Sequence, residues 1–223
     1  MPHHRTTTLV LVLSGLALSA CATAPPARTE TGRQVVRDRL AAADDAPYSA
    51  ALTAVTRSGT RRLQRVVGRI NLNAPFTGRT TDETEQYTED VVITRQKVYR
   101  RATGSHGAWQ EFPASAAKGG IPVDRLPRYV DLILDHGGSV HRESEPVRVS
   151  GRLTPEDIES VDRVSGRNLR PATAIDVDAW IDKEGRIVRV RQDVRFTSGP
   201  GLRSTLTLTG FRSAVPVSAP AAK

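Results

Sequence analysis

The chain's one cysteine, Cys21, directly follows Leu18-Ser19-Ala20. A Leu, two small residues and a Cys make up the lipobox of bacterial lipoprotein signal peptides. The chemistry needs a thiol to take a diacylglyceryl group, and the small side chains of Ser19 and Ala20 let a signal peptidase approach the bond before Cys21. The residues upstream agree. Met1 to Arg5 is short and basic, and Leu9 to Leu18 is an apolar core of roughly ten residues. A bilayer span needs roughly 20, so this stretch reads as a signal-peptide core rather than a stable transmembrane helix. Residues 1–20 are therefore expected to be a lipoprotein signal peptide, with Cys21 the first residue of the mature chain. Acyl chains on Cys21 would hold it in the membrane, at about 0.8 kcal/mol per buried CH₂. The expected location is the outer face of the cytoplasmic membrane, with residues 21–31 as the lipidated Cys and linker. An ordinary secretory peptide with an incidental cysteine is the competing reading.

The other residue types that do chemistry lack the companions they would need. His3 and His4 fall in the signal segment, while His106, His136 and His141 lie beside glycines with no second ligand type at metal spacing. Asp176, Asp178 and Asp182 alternate along one segment, but Arg189 and Arg191, expected opposite them, point to ion pairs rather than a cation site. The acidic stretch Asp82 to Asp90 reads as a solvated strand and loop. No Gly-x-Ser-x-Gly elbow is present, and Ser105 and His106 are adjacent only in sequence. The expectation is a protein that is not an enzyme and uses no cofactor or metal. A single cysteine also excludes an intrachain disulfide. The formal net charge of +8 comes from 32 Lys+Arg against 24 Asp+Glu, and 28 of the 32 are Arg. No basic run is interleaved with aromatics, so nucleic acid is not an expected partner. Dispersed surface charge and attraction to an anionic membrane both remain open.

The elements that must support this chemistry form one α+β domain over residues 32–220, followed by a short tail at 221–223. Gly32 to Ala43 is predicted as a short amphipathic helix. Extended segments follow at Tyr48–Arg57, Arg62–Leu72, Arg79–Thr88, Val91–Thr94, Lys97–Arg101 and Trp109–Phe112. Leu126, Tyr129, Val130, Ile133 and Leu134 recur at helical spacing inside a second helix, Ile121–His136, which Gly137-Gly138 stops. Ser139–Leu153 is extended again, and Thr154-Pro155-Glu156-Asp157 starts a third helix reaching about Val164. Three strands close the chain: Thr173–Ile181, Arg186–Phe196 and Leu202–Phe211. Closing the first turn with Ile181–Arg186 sets Asp178 opposite Arg189 and Ala179 opposite Val188; closing the second with Phe196–Leu202 sets Gln192 opposite Leu206. One face then carries Val177, Ala179, Val188, Val190, Val194, Leu206 and Leu208, the candidate wall of an apolar cavity. Gln192 interrupts that row, and Trp180, Ile187 and Phe211 fall on the opposite face.

Asp178-Ala179-Trp180-Ile181-Asp182-Lys183-Glu184-Gly185-Arg186, with the closing Leu206…Phe211…Val215-Pro216-Val217…Ala219-Pro220, resembles actinobacterial lipoproteins of the LppX/LprG type. Val98-Tyr99-Arg100 followed by Trp109 is similar to that family's middle section. The resemblance implies a LolA-like fold: a curved antiparallel half-barrel with helices across its concave face. It also implies a cavity between sheet and helices that takes up acyl chains of a lipid or glycolipid. A second reading on the same scaffold is a regulatory module that binds an envelope protein partner.

Overall fold

The computed structural model describes residues 27–43, 46–73, 75–117, 119–142 and 145–221. Eleven strands pair antiparallel throughout: β1 (Tyr48–Ser58), β2 (Arg61–Leu72), β3 (Thr77–Thr84), β4 (Thr88–Ile93), β5 (Lys97–Ala102), β6 (Gln110–Pro113), β7 (Ser139–His141), β8 (Val147–Leu153), β9 (Ala172–Ile181), β10 (Ile187–Phe196) and β11 (Leu202–Ser213). They form one open sheet in the order β6-β5-β4-β3-β2-β1-β11-β10-β9-β8-β7, so the first and last strands are neighbours near its middle. The helices are α1 (Ala27–Ala42), α2 (Leu126–Asp135), α3 (Pro155–Val161) and α4 (Arg163–Leu169), with 3-10 turns at Ala114–Ala117 and Val123–Arg125. The expected α+β class is the observed one. No helix among the described residues is long and apolar enough to cross a membrane.

Period-2 alternation puts one face of each strand inward. Along β8 to β11 and β1 this face carries Val147, Val149, Leu153, Ile175, Val177, Ala179, Val190, Leu206, Leu208 and Ala50, all buried. The apolar stripe of α2, Leu126, Tyr129, Val130, Ile133 and Leu134, packs into the same core, and Val36 of α1 joins it. A smaller cluster of Val91, Ile93 and Val98 lies on β4 and β5, with Phe76, Phe112 and Ala117 against it. The helices thus cover one half of the inner face. Over β2 to β5, the described cover is the 3-10 turn Ala114–Ala117 together with Gly119, Gly120, Ile121 and Val123.

Thr154 caps α3 in a capping box: its Oγ1 accepts from the Asp157 amide at 3.2 Å, and the Asp157 carboxylate accepts from the Thr154 amide at 2.8 Å. Where one helix was expected to about Val164, there are two. Asp162 ends α3 and caps α4, accepting from the amides of Val164 and Ser165 at 3.0 and 2.9 Å. Thr154→Ala is expected to cost about 1 kcal/mol. The unfolding midpoint of the mature domain should then fall by about 2–4 °C, as read by thermal unfolding followed by circular dichroism.

The register of the last three strands differs from expectation by two residues at each turn. Asp182 closes the first turn, its Oδ1 accepting from the amides of Glu184 and Arg186 at 3.0 and 2.8 Å. The hairpin therefore begins at Ile181↔Ile187, with Asp178 opposite Arg191 and Ala179 opposite Val190. An irregularity between Ile187 and Arg189 takes up Val188, which leaves the ladder half-buried while Ile187 turns into the core. At the second turn Val194 pairs with Leu202, so Asp193 faces Arg203 and Gln192 faces Ser204. A second irregularity in β11, opposite Ser49 and Ala51, contains Gly210 at φ 56°. It turns Phe211 toward Tyr48, with ring centroids 5.7 Å apart. The row of Trp180, Ile187 and Phe211 expected on the outer face does not form, because the two bulges reverse the alternation at Ile187 and Phe211.

Candidate functional site

The uncovered half of the inner face holds a partly open cavity of about 390 Å³. Its apolar wall comes from β1, β2 and β4 through Leu52, Ala54, Val66, Val91 and Ile93, with Phe76 beside them. Ala116, Ala117, Gly119, Gly120, Ile121 and Val123 close one side. Thr56, Gln64, Asp82, Arg100 and Ser204 add polar groups. Gln64 Nε2 donates to both Asp82 oxygens at 2.9 and 2.8 Å, which accounts for a carboxylate that is only 6% exposed. Asp82 is thus buried in the cavity wall rather than solvated, as expected from its acidic neighbours. Thr56 Oγ1 and Ser204 Oγ share a hydrogen bond at 3.1 Å. Arg100 reaches Glu89 at 3.4 Å and donates to the Ala116 carbonyl at 3.0 Å, tying the covering segment to β5. A second cavity of about 430 Å³ lies across Val123, between Tyr48, Leu72, Leu126, Arg186 and Phe211.

The expected wall residues form core rather than the lining of the 390 Å³ cavity. Val177, Ala179, Val190, Val194, Leu206 and Leu208 are buried. All six belong to the core cluster that includes α2, and Val188 sits at the bulge. Val194 also borders a polar depression with Arg57, Asp176 and Arg203. Helices α2 to α4 fill the space over β8–β10, and among the described residues no helix covers β2–β5. Cys21 and its lipobox residues Leu18, Ser19 and Ala20 lie outside the described residues.

On the other sheet face, the alternating carboxylates are held by guanidinium groups, though in shifted pairs. The hydrogen bond from Arg152, with Arg195 also adjacent, holds the Asp176 carboxyl below the usual carboxylate range. Asp178 accepts from Arg191 at 2.7 Å and from the Ser150 hydroxyl at 2.5 Å. Arg189 instead lies over the Trp180 ring at 4.9 Å. His106 and His136 are exposed, and among the described residues no group of three His, Cys, Asp or Glu side chains is placed to hold a metal.

No protein-family model matches the chain, and no curated protein matches it in sequence. Among solved structures, the crystal structure of LprF from Mycobacterium bovis superposes with a TM-score of 0.58 at 16% identity, over 86% of this chain and 98% of that one. The chain has the LprF fold. LprF is a mycobacterial protein of the LppX/LprG group, so the fold expected from the resemblance is the one found. A LolA superfamily protein, NE2245 from Nitrosomonas europaea, also aligns, with a TM-score of 0.37 at 9% identity over 81% of this chain and 94% of that one.

Proposed function

We propose that this chain is an exported lipoprotein, anchored through Cys21, that sequesters one acyl chain of a lipid in the cavity beside β1, β2 and β4. The observation that carries this reading is the apolar wall left open on the inner face by Leu52, Ala54, Val66 and Val91. A cavity of about 390 Å³ falls at the small end of ligand pockets, roughly 300–1,000 Å³. That size favours one chain over the two or three that a multiply acylated lipid would bring. Binding works by reversible burial: each CH₂ removed from water returns about 0.8 kcal/mol, offsetting the cost of leaving the bilayer. The LprF fold supports the same reading. A role in docking a protein partner on an outer Trp180–Phe211 patch has less support, since Ile187 is buried and Phe211 packs against Tyr48 and Arg186.

Organic extraction and mass spectrometry of the mature domain are expected to recover lipid. Ala54→Phe, which fills the apolar wall, is expected to cut uptake of a fluorescent fatty acid at least tenfold while leaving the circular dichroism spectrum unchanged. A cleanly folded, lipid-free native domain that takes up neither fatty acid nor phospholipid would sink the carrier reading.

A further inference from the structure

The two-residue register shift places polar side chains in line across the inner face. Gln192 on β10 pairs with Ser204 on β11, Ser204 with Thr56 on β1, and Thr56 with Gln64 on β2. Gln64 then hands on to Asp82 of β3 through its two hydrogen bonds. At strand spacings of about 4.8 Å, four adjacent strands give a row about 14 Å long. Three of its members, Ser204, Thr56 and Gln64, line the cavity.

Its far end is unusual. Gln192 is 1% exposed, and neither its amide nitrogen nor its amide oxygen has a hydrogen-bond partner among the described residues. A buried primary amide offers two donors and an acceptor with two lone pairs, and leaving them unpaired is costly. Gly120, in the segment that borders the cavity, stands over this amide. A Cβ added there would lie 3.7 Å from Gln192 Nε2 and 3.2 Å from Leu169 Cδ2. Gly120 is thus the lining residue that lies between the cavity and the amide, and its backbone is the only part of it next to Gln192.

We infer that this row recognises an uncharged hydrogen-bonding group next to the acyl chain, such as the ester and free hydroxyls of a monoacylglycerol, with Gln192 as the specificity-determining residue at its buried end. The inference rests on the carrier reading and narrows its ligand class. The charges around the row set the preference. Asp82 stands at one end and disfavours an anionic head group. Arg100, the cation among the described lining residues, is committed to Glu89 and the Ala116 carbonyl. A neutral ester and hydroxyls match the amide and the Thr56–Ser204 hydroxyl pair without burying an uncompensated charge.

The test uses the mature chain, residues 21–223, produced without acylation and loaded with a fluorescent acyl probe. Competition is measured with monoolein, oleate and 1-octadecene, which share chain length and differ in polar group. The expected result is displacement by monoolein at about tenfold lower concentration than by either competitor, the size of one or two well-made hydrogen bonds. Gln192→Leu is expected to bring the three within about twofold while the unfolding midpoint holds or rises. Should that variant not fold, Ser204→Ala carries the same expectation. Oleate displacing the probe as well as monoolein in the native chain overturns the inference. So does an undiminished monoolein preference in Gln192→Leu, which would mean that water satisfies the amide. Both leave the carrier reading standing, whereas a chain that never takes up the probe loses both.

Discussion

A Gly185→Val chain is expected to unfold about 10 °C below the native domain. Gly185 sits in the β9–β10 turn at φ 78°, a conformation that a β-branched residue adopts only with strain. The surroundings are more restrictive than the dihedral. An added Cβ would fall 2.0 Å from the Arg39 carbonyl oxygen and 2.9 Å from its carbonyl carbon. Both are backbone atoms of the last turn of α1, so no side chain can swing away. Either the turn opens or the end of α1 lifts. Arg39 would lose its paired hydrogen bonds to Glu145, at 3.0 and 2.6 Å, and fully buried Val36 would be loosened from the core. Strain and lost packing together amount to about 3 kcal/mol or more, which in a domain of this size corresponds to about 10 °C. Gly199→Ala is the control. Gly199 also has positive φ, at 84°, yet a Cβ there meets nothing within 4 Å, so its midpoint should drop by no more than about a third as much. Thermal unfolding with limited proteolysis across α1 reads both effects.

The second large effect concerns the membrane. Cys21→Ser is expected to abolish incorporation of labelled palmitate and to leave the precursor uncleaved, because a serine hydroxyl lacks the nucleophilicity of a thiol. Since Cys21 is the chain's one cysteine, no other thiol can substitute. The native chain should be labelled, lose a segment of 20 residues and stay with membranes after high-salt washing. Salt removes electrostatic attachment to lipid headgroups but leaves two or more acyl chains inserted. A Cys21→Ser chain that is still cleaved to the same length would restore the ordinary secretory reading.

How far the sequence could be read differs by element, for physical reasons. Helical spacing located α2, and Thr154 with Asp157 marked the start of α3, because each is a local signal. The strands were legible from alternation, and so was the face of most of their apolar residues. Alternation cannot separate registers two residues apart, since both keep every side chain on its face. Electrostatics does separate them: only the observed register sets Asp193 opposite Arg203, with an ion pair between them. The bulges at Val188 and Gly210 reverse the alternation locally, so Ile187 and Phe211 face opposite to what simple alternation predicts. The site was the hardest part to read. An apolar strand face looks the same whether helices fill the space over it or leave it open, and only the packing of α2 to α4 shows that the open half is over β2–β5. Gln192 was visible as an interruption of an apolar row. It takes the pairing with Ser204, Thr56 and Gln64 to show that it ends a polar one.

The pairing of β1 with β11 also governs when the molecule can exist. Tyr48 lies opposite Ser213, and Ser58 opposite Leu202, so the middle of the sheet is joined by the two strands farthest apart along the chain. Closing so long a loop is entropically expensive and kinetically slow. A chain emerging N-terminus first cannot complete its sheet until β11 is out. Until then β1 and β10 both present unpaired inner edges, surfaces that invite mispairing with other chains. A C-terminal truncation reaching Leu202 should therefore behave as an aggregating fragment rather than a smaller domain.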